Sequence, residues 1–191
     1  MRRLTALLCT AALAAAGVLV TGGPAAAGTG AVSRDITLDG RNDIFTRRTS
    51  DQVTMVYTHS GKFNGQQTFR PGTIVGINAS GLNWFGLARI SSRTMPDLIG
   101  RWHTVDGGNL KVYPHSGQFD GTRTFQAPIS VGLGANIHNM LQFQDLNNDG
   151  WDDQIAREAA TGNLYVYYHS GRFDGFNTFK PRVLLGTAGA G

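Results

Sequence analysis

Beyond Gly28, short runs rich in Val, Ile, Tyr and Phe alternate with clusters of Gly, Asn, Asp and Ser, and no segment keeps a sustained helical period. Apolar runs of this length, bounded by turn-forming residues, predict strands joined by turns. The pattern is clearest near the C-terminal end, where Met140 to Gln144, Gln154 to Arg157, Leu164 to Tyr168 and Phe179 to Leu185 are four predicted strands. The connection between the second and third is Ala160-Thr161-Gly162-Asn163.

The same order of elements occurs three times. Val56-Tyr57-Thr58-His59-Ser60-Gly61-Lys62-Phe63-Asn64-Gly65 recurs from Val112 to Gly121 and again from Val166 to Gly175. Each copy runs on into Thr-Phe, then a proline and a closing glycine at Gly76, Gly132 or Gly186. With the histidines at 59, 115 and 169, one unit occupies about 55 residues. Approximate units are 28–76, 77–132 and 133–191. Four short antiparallel strands per unit are the make-up of a propeller blade. The expected fold is therefore all-β, a partial β-propeller of three blade-like repeats. A β-trefoil is the alternative, because it fits the repeat count better and the loop chemistry below worse.

Between the first two strands of the third unit stands Asp145-Leu146-Asn147-Asn148-Asp149-Gly150-Trp151-Asp152-Asp153. Oxygen-bearing side chains at alternate positions, followed by a glycine and a closing carboxylate, suit a hard cation that takes six to eight oxygen ligands. The expected calcium ligands are Asp145, Asn147, Asp149 and Asp153, with the main-chain carbonyl of Trp151. The first unit offers Asp35, Thr37, Asp39 and Asp43, with Arg41 at the position of Trp151. The second has Arg89, Ser91, Arg93 and Asp97 there, and two cations in place of two carboxylates exclude a calcium site. In that loop Arg89 or Arg93 is expected to pair with Asp97.

These residues resemble the FG-GAP/VCBS repeat family, the calcium-loop blades of integrin-like propellers and of many secreted proteins. The pattern Asp-x-Asn-x-Asp-Gly-x-x-Asp followed by Thr-Gly-x-Leu-x-x-Tyr is matched by Asp145 to Asp153, Thr161-Gly162-Asn163-Leu164 and Tyr167, and in part by Asp35 to Asp43. The resemblance implies a propeller-type fold and says little about activity. Two features depart from it: the His-Ser-Gly-x-Phe-Asp/Asn-Gly hairpin, and a count of three units where closed propellers have four or more. The open sheet edges that follow invite pairing. Either two chains form a homodimer closing one six-bladed ring, or the array docks on a larger partner.

Composition narrows the setting. Arg2 and Arg3, an apolar stretch from Leu4 to Val20, and Ala25-Ala26-Ala27 before Gly28 read as a signal peptide over 1–27, leaving a single repeat domain over 28–191 and a secreted protein. No membrane insertion of the remaining chain is expected. It holds no cysteine, so calcium takes on some of the cross-linking that disulfides supply elsewhere. Without Arg2 and Arg3, 15 basic residues face 13 acidic ones, a net charge of +2 with no Lys/Arg run, which argues against a nucleic-acid partner.

Adjacent His-Ser pairs at 59–60, 115–116 and 169–170 do not make a triad, because neighbours along a strand point in different directions. No enzymatic activity is expected. A turn-shaping role for His, Ser and Gly, with Phe63, Phe119 and Phe173 packing between units, explains the hairpins most simply. Their functional reading is carbohydrate recognition: His59, Phe63 and Asn64, His115, Phe119 and Asp120, and His169, Phe173 and Asp174 combine an aromatic face with groups that hydrogen-bond sugar hydroxyls. A lectin-like module for a surface glycan or polysaccharide is the leading expectation, and a protein-interaction scaffold the alternative.

Overall fold

The computed structural model describes residues 32–188; the expected leader, 1–27, lies outside the described residues. The described residues form twelve strands in three antiparallel four-stranded sheets, each made of four consecutive strands. The first sheet holds β1 (Val32–Arg34), β2 (Asp43–Arg48), β3 (Val53–Tyr57) and β4 (Thr73–Gly76). The second holds β5 (Leu82–Ala88), β6 (Asp97–Trp102), β7 (Asn109–Tyr113) and β8 (Ile129–Gly132). The third holds β9 (His138–Gln144), β10 (Asp153–Glu158), β11 (Leu164–Tyr167) and β12 (Val183–Gly186). Every ladder stays within its own sheet, which rules out the trefoil, where strands of different repeats pair into one barrel.

The three sheets share register as well as order. The last ladder of each slips at the same place, between Thr54 and Met55, Leu110 and Lys111, and Leu164 and Tyr165. A 3₁₀ turn (Gly65–Gln67, Gly121–Arg123, Gly175–Asn177) leads towards the fourth strand of each. That strand is shorter than the sequence suggests in the third sheet, starting at Val183 instead of Phe179. Pro181 has no N–H to give a ladder, so Phe179 is held by a lone bridge to His169.

The apolar core lies at the junctions between sheets. Ile36, Phe45, Val56 and Val75 of the first sheet pack with Phe85, Leu87 and Leu98 of the second. A second cluster joins Trp84, Ile90, Ile99, Leu110, Val112 and Val131 to Leu141 and Ala156 of the third. β1 packs on β5, and β5 on β9. Trp84 is a core residue, as its place in a first strand suggests. Two arginines, Arg101 buried and Arg47 half-buried, add polar ties across the same junctions. Arg47 donates to the carbonyls of Ala79 and Leu82, and Arg101 to those of Ala135 (2.9 Å) and His138 (2.8 Å). Among the described residues no helix is long and apolar enough to cross a membrane.

Candidate functional site

Each β1–β2-type loop is held by the aspartate that opens the next strand. Asp43, Asp97 and Asp153 are fully buried. Asp43 accepts from the N–H groups of Ile36, Thr37 and His59, and Asp153 from Leu146 (3.1 Å) and His169 (2.8 Å). Asp97 does the same for Ile90, Ser91 and His115, and also takes the Ser91 hydroxyl at 2.7 Å. Burial pushes the Asp97 carboxyl up, against the pull of those donors. The closing carboxylate thus fastens backbone in all three loops, including the second, which lacks the rest of the cation pattern.

The remaining oxygens of the first and third loops are arranged alike. Asp145 accepts the N–H groups of Asp149 (3.1 Å) and Gly150 (2.9 Å), as Asp35 accepts those of Asp39 (3.1 Å) and Gly40 (2.8 Å). The Trp151 N–H bonds Asp149, and the Arg41 N–H bonds Asp39. Partial desolvation pushes both Asp39 and Asp149 up, but these N–H groups and their polar neighbours bring them net below the usual carboxylate range, in the ionised form that a cation needs. The Thr37 hydroxyl is buried without a hydrogen-bond partner, and an all-oxygen donor set suits a hard ion. The side chains are nonetheless turned to backbone N–H groups. Among the described residues no three His, Cys, Asp or Glu side chains gather as a metal cluster.

The second loop departs from its expected pairing. Arg89 does not meet Asp97; its Nη2 reaches Asp152 of the third sheet at 2.7 Å, with Nε at 3.3 Å, and this carboxylate holds the guanidinium pKa up. Arg34 of the first sheet binds the other Asp152 oxygen at 2.9 Å. One buried carboxylate therefore links all three sheets. Sequence reasoning passed over Asp152, although its counterparts Asn42 and Pro96 mark it as a departure from the repeat. Arg93 lies over the Trp151 ring at 5.3 Å, and Trp151 stacks on His169 with centroids 4.5 Å apart.

The hairpins do not present the expected sugar-binding row. His115 and His169 are buried, with Nδ1 accepting the N–H of Gly117 or Gly171 and Nε2 bonded to the carbonyl of Ile36 (2.9 Å) or Ile90 (3.0 Å) in the preceding sheet. Both ring nitrogens of these two histidines are spent on backbone. Phe119 and Phe173 pack into the junction cores. Asp120 pairs with Arg123, and Asp174 and Asn64 bond Asn177 and Gln67, each within its own turn. The serine hydroxyls donate to carbonyls of the same hairpin, such as Gln118 and Arg172. His59 and Phe63 differ from their counterparts: His59 is half-buried and Phe63 is 93% exposed.

Among the described residues, equivalent grooves lie at the two junctions between consecutive sheets. The one between the second and third sheets has a volume of about 610 Å³ and is lined by the aromatics Tyr167, Phe176 and Phe179 with His138, Gln154 and Lys180. Its counterpart between the first and second sheets is narrower, about 290 Å³. There the Trp102 indole fills space and donates to the Tyr113 hydroxyl at 2.8 Å. In the wider groove His138 replaces Leu82 and stands 3.4 Å from the Tyr167 hydroxyl. Burial, with Arg101 and Arg182 nearby, holds the His138 pKa below its ordinary value, so the ring is neutral and able to accept or donate.

No model of a known protein family matches this chain, and no curated protein matches it either.

Proposed function

We propose that this chain is a secreted, calcium-binding module of propeller type, each sheet being one blade, that binds carbohydrate in the grooves between blades. The groove of about 610 Å³ between the second and third sheets carries the reading. It offers an exposed aromatic ring at Phe176, a tyrosine hydroxyl, an uncharged imidazole, an amide and an ammonium, the groups that pack on a pyranose face and bond its hydroxyls. The hairpin histidines are structural in this reading, and calcium at Asp145, Asn147 and Asp149, and at Asp35, Thr37 and Asp39, steadies the loops. No residue is assigned a catalytic role: His115 and His169 spend both ring nitrogens on backbone, and His59 is tied through Nδ1 to its own hairpin.

The test is retention of the full chain on immobilised polysaccharides, with Phe176→Ala and Lys180→Ala compared with Asp120→Ala. Loss of one aromatic or charged contact is expected to weaken binding about tenfold, while Asp120→Ala leaves it unchanged. Equal retention by all three variants contradicts the groove. Sugar-independent capture of one stoichiometric protein favours the scaffold reading.

A further inference from the structure

Each internal junction uses one recipe. The trailing sheet contributes a histidine that bonds a loop carbonyl of the leading sheet: His115 to Ile36 and His169 to Ile90. It also contributes a phenylalanine that enters the shared core, Phe119 or Phe173. Its 3₁₀ turn lies against the leading sheet's fourth strand, so closely that a Cβ on Gly121 would stand 3.6 Å from the Ile74 carbonyl and one on Gly175 3.7 Å from that of Ser130. The leading sheet returns an arginine to the carbonyls of the trailing one, Arg47 or Arg101.

The two ends of the array hold the unmatched halves of this recipe. On the first sheet, Phe63 is almost wholly in water, and a Cβ on Gly65 would meet nothing within 4 Å. Among the described residues, His59 bonds through Nδ1 to the Gly61 N–H, and its Nε2 meets no carbonyl. Half a groove is already present there, lined by Tyr57, Gln66, Phe69 and Arg70. At the far end, Leu184 occupies the register position of Ile74 and Ser130 and is 51% exposed, between exposed Val183 and Leu185. Arg157, the counterpart of Arg47 and Arg101, is exposed and bonds Asn139 in its own sheet. The Leu146 carbonyl stands where Ile36 and Ile90 accept a histidine.

From this we infer that the free face of the first sheet docks on the free face of the third sheet of a second copy of the same chain. The contact is head to tail, with two different faces meeting, so it must close into a ring or run on as a filament. Rings of stacked sheets hold typically four to eight members, and six is the only multiple of three in that range. The assembly is therefore a two-chain ring of six sheets with two identical junctions. His59 bonds the partner chain's Leu146 carbonyl, Phe63 enters a core against the partner chain's fourth-strand residues, and the half-groove at Tyr57 is completed. The inference rests on the junction recipe and is independent of what the grooves bind.

Sedimentation equilibrium of the full chain tests it, alone and with Phe63→Asp and Leu184→Asp, two exposed sites that the fold of one chain does not need. Wild type is expected at twice the chain mass and each variant at the chain mass, with near-ultraviolet dichroism unchanged. Mixing the two variants is the decisive arm. Their mixed pair keeps one undamaged junction, so a dimer returns in the mixture although neither variant forms one alone. A wild-type monomer at every concentration, an assembly of three or more chains, a dimer untouched by both substitutions, or no recovery on mixing overturns the inference.

Discussion

Leu38 and Asn148 stand at the same place in the first and third loops, with φ of +61° and +58°. That left-handed conformation costs an ordinary side chain about 1–2 kcal/mol and is readily taken by Asn. Leu38 is exposed, so its replacement loses little packing. Leu38→Asn is expected to raise stability by about 1 kcal/mol in a urea unfolding curve. Asp97→Ala has the opposite sign: it removes the acceptor of three backbone N–H groups and a hydroxyl in a buried setting, and a loss of about 3 kcal/mol or more is expected in the same measurement. His138 gives a pH dependence. Its folded-state pKa is held below the ordinary 6.5, so the unfolded chain takes up a proton that the folded chain refuses. Stability is complete above pH 6.5 and is lost as the pH falls through that value towards the lower folded pKa. His138→Leu, which restores the residue found at Leu82, is expected to flatten the fall in melting temperature between pH 7 and 5.

At the scale of elements, the loops divide the work between backbone ties and the proposed cation ligands. Asp43, Asp97 and Asp153 hold the loop backbone in every sheet, whereas the alternate oxygens occur in two loops only. A cation that binds the folded chain stabilises it by about 2.7 kcal/mol at a hundredfold excess over Kd. Chelation is therefore expected to lower the melting temperature, and Asp145→Ala combined with Asp35→Ala to abolish the difference while Arg93→Ala retains it. A melting temperature indifferent to calcium and chelator would remove the metal from the account. The strands were legible in the sequence because apolar runs and turn residues alternate, and the turn role of the hairpins because each carries a glycine, Gly61, Gly117 or Gly171, all of which the structure holds at φ +89°. The fates of Arg89 and Asp152 were not legible: their partnership spans 63 residues and two sheets, and no local spacing encodes it. The backbone ties of His115 and His169 were not legible for a similar reason. Their acceptors lie 79 residues earlier in the chain, so a buried tie and an exposed sugar contact read alike.

At the scale of the molecule, the core is distributed over junctions and not enclosed within any one sheet. A chain built this way gains stability from each neighbour and leaves its two ends incompletely covered. The grooves arise from the same stacking. They differ in lining: Trp102 lines the narrower one, whereas its counterpart in the third sheet, Glu158, pairs with Arg182 at 3.2 Å, and Phe176 lines the wider one. A glycan that engages more than one groove gains by multivalency. The most direct measurement is binding of the full chain to a panel of glycans and bacterial cell walls, in calcium and in chelator. Saturable retention on one sugar class, weakened when chelator loosens the loops, is the result expected of a calcium-steadied carbohydrate-binding module. A folded, calcium-loaded chain that is retained on none of them contradicts it.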